Sequence, residues 1–492
     1  VGDATGLANA FIDLDVGIDA IASSASVFNN TFDGMQDING LGEGYAILAN
    51  ATNPGPHVLT VGGIGTAVNT MTDCLYGIAG RRQSEVEIRG NTYTAPFGPA
   101  NTGIILRQIS DDILINRNTI SDFSSRGIFL DDNPGIGGGT CNAIVSVNTI
   151  ANGATTSTGI FVDEHNGTGT VVDNTISDVL RGIVVQSTGM GSVMNTIQNV
   201  IDYAFPGPPT TAAAIGIVYA SVGDGKIEKN TVRGNCPFAG GFGPCIVDVP
   251  ENRAIRGIQL AQTSSILVIS NLIDWAGAGL YLDGANFEGN ALCNQFTDCL
   301  YGVVFDNTPL TGFGLATSMS SNTQVNASAT AFAHANAENR WFSSISGFVP
   351  PRAVSTNGAD AEEIEWWHRA SPTEADMPLG TIFTVFPLGS PVPTEVVPQI
   401  GAPSDVCIDI TPVPPGDSMT ATSTMQSMID SIAIGSSFIT EDVFWFLQNA
   451  SSDMAMRSTT RSLFSSTILD EVEQAMHFWV AGDLTSAQVA LA

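Results

Sequence analysis

The stretch NTISDVLRGIVVQ, residues 174–186, has near-copies at 118–130 (NTISDFSSRGIFL), 69–78 (NTMTDCLYGI) and 294–305 (NQFTDCLYGVVF). Such a recurrence constrains the fold more than any single motif, because each copy has to bury its apolar residues against the copies beside it. Aligned on the asparagine, the series runs Asn30, Asn69, Asn91, Asn118, Asn148, Asn174, Asn195, Asn230, Asn271 and Asn294, with gaps of 21 to 41 residues from Asn69 onward. A second anchor, glycine followed by apolar-any-apolar, gives GIIL at 103, GIFL at 127, GIFV at 159, GIVV at 182, GIVY at 216, GIQL at 257, GLYL at 279 and GVVF at 302.

Short strands at this spacing, with no helix-length segment between them, rule out βαβ units and leave too little chain for a propeller blade. Each repeat is instead expected to be one coil of a parallel β-helix, its strands paired with their equivalents one coil away at about 4.8 Å. Ile120, Ile150, Ile176, Ile197 and Val232, each two residues after its asparagine, then stack inside the coils. The asparagines are expected to form a ladder of side-chain amides at an inward turn. The glycine is expected to supply backbone freedom where the coil bends.

These NTI and GIxL columns resemble those of right-handed parallel β-helix proteins, the architecture of pectate lyases, pectinases and many bacterial surface proteins. The resemblance covers about residues 10 to 310 and implies a mainly-β chain of about ten coils. It implies little about activity, since the architecture serves lyases, hydrolases, epimerases and adhesins alike. The right hand follows from the family and from the general handedness of parallel crossovers.

After residue 310 the period ends. Residues 311–416, rich in proline, are expected to be an irregular capping or linking segment, and 417–492, with helical spacing, a small α-helical region. A β-helix followed by a Pro-rich stretch and a helical block resembles large bacterial proteins of the type IX secretion route. The β-sandwich sorting domain of that group has no counterpart in these residues, and the pattern is already running at residue 17, so the chain reads as a piece of a longer precursor.

The formal charge of −31, with Lys226 and Lys229 as its lysines, sets the field around the molecule. Nucleic acid would meet that field unfavourably, and no nucleic-acid partner is expected. Polyanionic polysaccharides are disfavoured too, unless Ca²⁺ bridges the two. An acidic exterior with few lysines points to a secreted, extracellular or cell-surface setting. No apolar run reaches the length of a membrane span. The cysteines show no metal spacing, and Cys236 and Cys245, around the loop CPFAGGFGPC, are read as a disulfide, with free buried thiols as the alternative.

Chemistry is expected just past each GIxL strand, where the coils align Arg107, Asp131, Asp163, Gln186, Ala220, Ala261, Asp283 and Asp306 in one column. Asp131 and Asp163, on adjacent coils, have a spacing suited to a glycosidase pair, with His165 or Arg107 as a lyase base. No cofactor is expected unless Ca²⁺ is bound, for which Asp131, Asp132, Asp163 and Glu164 form the candidate site. The competing reading makes all of them solvated turn residues. The pectinase-type signatures are missing apart from the DD at 131–132. Trp366 and Trp367 are candidates for stacking on sugar, or for packing onto the end of the core.

Two functions follow. One is a non-enzymatic structural or adhesive protein of a cell surface, fibre or matrix, associating with itself, other surface proteins or glycans. The other is a polysaccharide lyase or glycoside hydrolase.

Overall fold

The computed structural model describes most of residues 1–306, leaving out short segments of which 134–140 and 204–213 are the longest, and beyond 306 the backbone of individual strands as far as Gln399. Each coil contributes three strands, beginning with β1 (Asn9–Ile12), β2 (Val16–Ile21) and β3 (Ala25–Val27). These coil strands pair in parallel with the equivalent strands of the next coil, which builds three large sheets, here one, two and three in chain order.

Sheet one is made of strands only three residues long in most coils, such as Thr119–Ser121 and Thr149–Ala151. The middle residue of each points inward, so Ile120, Ile150, Ile176, Ile201 and Val232 stack in register and are buried. Ile201 stands where the sequence pattern places Ile197. Ile197 belongs to sheet three, paired with Val172 and Glu228.

The asparagine ladder shifts in the same way. Its amides link Asn9, Asn30, Asn69, Asn91, Asn118, Asn148, Asn174, Asn199, Asn230, Asn271 and Asn294, each Nδ2 donating to the next Oδ1 at 2.8 to 3.1 Å. Asn195 is not a rung: it faces outward in sheet three between Thr170 and Lys226. NTI at 195 and NVI at 199 compete for one role, and Gln198, with φ of 54°, supplies the corner that makes Asn199 the turn residue.

The GIxL glycines serve a purpose other than backbone freedom. A Cβ on Gly159 would stand 2.7 Å from the Gly182 carbonyl oxygen and 2.7 Å from Ile176 Cγ2, and Gly103 and Gly127 are equally confined. The missing side chain gives room to the inward isoleucine of sheet one. Left-handed backbone lies elsewhere, at corners such as Arg117, Asp122 and Asp132, with φ of 55°, 59° and 47°.

Parallel pairing crosses the boundary drawn at 310 from the sequence: Arg340–Ser343 joins sheet one, and Arg352–Asn357 and Phe383–Phe386 join sheet two. Cys236–Phe238 and Gly241–Gly243 form a small antiparallel hairpin, and Cys236 is bonded to Cys245. The chain divides into Val1–Thr411 and Pro412–Ala492, and the helical expectation for 417–492 lies outside the described residues. Among the described residues no helix is long and apolar enough to cross a membrane.

Candidate functional site on the outer face of sheet two

Strand Arg126–Asn133 shows how sheet two is built. Ile128 and Leu130 enter the core, so Phe129 and Asp131 are turned to the outside by the two-residue period of a strand. Adjacent coils repeat this in register and produce the column Arg107, Asp131, Asp163, Gln186, Ala220, Ala261, Asp283 and Asp306. Asp131 and Asp163 therefore sit side by side on neighbouring strands, about 4.8 Å apart in backbone spacing.

Arg107 Nε lies 2.8 Å from Asp131 Oδ2. The Asp131 carboxyl is nevertheless raised above the ordinary carboxylate value, by burial first, with Arg107 opposing the rise and Asp163 adding to it. Beside this column runs an aromatic one. The rings of Phe129 and Phe161 stack at 5.2 Å, and the Arg126 guanidinium lies over both, 3.8 and 4.5 Å from their centroids. Phe129, Phe161, Val184, Ile215 and Val218 form an apolar cluster separate from the coil interior. Burial lowers the pKa of Arg126, the carboxylates of Asp131 and Asp163 pull it up, and Arg107 adds to the lowering.

The arginine and the aromatic pair escaped the sequence reading. Their signal was the dipeptide Arg-Gly opening three of the strands, at Arg126, Arg181 and Arg256, and the shared GIF of 127 and 159. Arg256 repeats the arrangement, with its guanidinium 3.6 Å over the ring of Tyr281.

His165 does not join its proposed partners. Glu164 takes a left-handed turn with φ of 49°, which swings His165 from the outer column into the coil, where it is fully buried in register with Asn133. Burial pushes its pKa down to about 4, partly offset by the nearby Thr168 and Cys141 backbone. Neither ring nitrogen completes a hydrogen bond of good geometry. A neutral histidine behind the coil wall cannot take a proton from a substrate lying on the outer face.

The four acids expected to hold Ca²⁺ do not converge either. Asp132, at a left-handed corner, accepts from Gln108 Nε2 at 2.9 Å, while Asp131 is held by Arg107. Among the described residues no three or more His, Cys, Asp and Glu side chains form a metal-binding group. Trp366 and Trp367 lie outside the described residues. Cys74 and Cys141 are free and buried, Cys299 is buried as well, and burial raises the thiol pKa of Cys74 to about 12.

Residues 16–199 match the family model of a right handed beta helix region. The three parallel sheets run strand for strand through that span. These coils are a right-handed parallel β-helix. No curated protein and no solved structure matches the chain significantly. The β-helix thus carries an ion-paired, arginine-capped aromatic face on sheet two, with His165 sealed inside.

Proposed function

We propose that the chain is a secreted, non-enzymatic structural or adhesive protein of a cell surface or extracellular matrix, which associates with itself or with other surface components. One observation carries this reading: the coil wall divides the candidate acid-base set. Arg107 and Asp131 neutralise each other outside, and His165 lies inside without access to them. What remains on sheet two is a rigid face of aromatic rings, guanidinium groups and carboxylates, chemistry that suits recognition. Electron microscopy and sedimentation of the native chain test the reading. Fibres, sheets or concentration-dependent association are expected. A chain that stays monomeric at high concentration and binds neither cells nor glycans overturns it.

A second reading, a polysaccharide lyase or glycoside hydrolase, is favoured by one feature. Asp131 and Asp163 are neighbours, and the raised pKa of Asp131 is what a general acid needs. Product release across a polysaccharide panel decides it, with Asp163→Asn as the control. Turnover abolished by that substitution would establish the enzyme, and absence of turnover removes it.

A further inference from the structure

Five successive strands of sheet one read TMT (70–72), TYT (92–94), TIS (119–121), TIA (149–151) and TIS (175–177), paired in register. The middle residue of each is buried, and the two flanking residues face outward. The outer surface of these coils is therefore two parallel columns of hydroxyls, nine in ten positions, with Ala151 as the exception. Thr70, Thr119, Thr149 and Thr175 are exposed. Thr94 Oγ1 and Ser121 Oγ stand 3.2 Å apart, so the second column is itself hydrogen-bonded between coils.

The fold does not require these residues. Other coils of the same sheet place Val200, Leu272 or Gln295 in the first column and Asp202 or Asp274 in the second. Nor does composition: in a chain of charge −31, none of the ten positions carries a charge. Charge returns at Asp33 and Asp202 on the flanking coils, and at Asp73, Asp122 and Asp178 along the corner.

The array is also regular. Side-chain ladders are one device that steadies a flat sheet, and the asparagine ladder runs along this edge with links of 2.8 to 3.1 Å from Asn69 to Asn174. Rows are then about 4.8 Å apart along the axis, and the two columns about 6.6 Å apart within each strand. Water held at each hydroxyl would inherit those repeats, of which the row spacing is near the shortest lattice repeat of ice and the column spacing falls somewhat short of the next. An uncharged face suits an uncharged lattice, because no ion imposes a hydration shell of its own. We propose that this face of sheet one binds ice.

The test is ice-recrystallisation inhibition and thermal hysteresis of the full chain, independent of whether it assembles. Wild type is expected to halt recrystallisation. Thr119→Tyr with Thr149→Tyr, and separately Thr119→Asp with Thr149→Asp, should lose that effect while keeping the circular dichroism melt of wild type. Thr60→Tyr, the same change on the outer face of sheet three, should keep it. No effect of wild type on ice growth, or an effect undiminished in folded double variants, overturns the proposal.

Discussion

Asn174 concentrates the stabilising logic of the coil in one side chain. Its Nδ2 reaches the carbonyls of Val145 and Val172 and the Oδ1 of Asn199 at 2.8, 3.0 and 2.9 Å, while its own Oδ1 accepts from the backbone and side chain of Asn148 at 3.0 and 2.9 Å. Truncation strands buried polar groups on three coils, so Asn174→Ala should cost about 3 kcal/mol or more in guanidinium unfolding. Asn195→Ala, on the outside of sheet three, should change stability by no more than about 0.5 kcal/mol. Equal effects would contradict the assignment of the ladder. His165 gives a second prediction at this scale. Its folded pKa of about 4 lies below the unfolded value of about 6.5, so the unfolded chain binds the extra proton between them. Stability associated with this group is complete above pH about 6.5 and is lost as pH falls toward 4, by up to about 3 kcal/mol. In His165→Asn the midpoint should vary less across that window, and an unchanged pH profile would place the titration elsewhere.

Each strand owes its place to what the neighbouring coil leaves room for. Gly159→Ala puts a methyl against the Gly182 carbonyl and Ile176, which should destabilise the β-helix by about 2 kcal/mol as overpacking does. Gly223→Ala is the control, since a Cβ there meets nothing within 4 Å. Thermal melts of the two variants decide whether space is what fixes these glycines. This scale also shows what the sequence made legible. The period alone produced the parallel coils, the inward isoleucines and the whole outer column from Arg107 to Asp306, because strand alternation leaves little choice of face once register is known. It misplaced one rung, since NTI at 195 is as good a pattern as NVI at 199 and only the corner at Gln198 separates them. It also misplaced His165, because a single left-handed residue inverts the facing of everything after it, and φ at Glu164 leaves no trace in composition. The Arg126 stack on Phe129 and Phe161 depends on two coils at once, so no one repeat displays it.

At the scale of the molecule, the charge of −31 opposes any contact between copies. The Debye length shrinks from about 30 Å at 0.01 M salt to about 8 Å at 0.15 M, so the proposed self-association should strengthen as salt is added. Sedimentation velocity at the two ionic strengths measures this, and weakening with salt would instead place ion pairs at the contact. The asparagine ladder adds a constraint of another kind. All of its amide links point the same way, from Asn9 toward Asn294, with none reversed. The stack is a one-way row of donors and acceptors, and a coil laid upon it upside down would set donor against donor. Any joint that continues the ladder is therefore vectorial and cannot have two-fold symmetry, which favours growth along a line over closure into a pair.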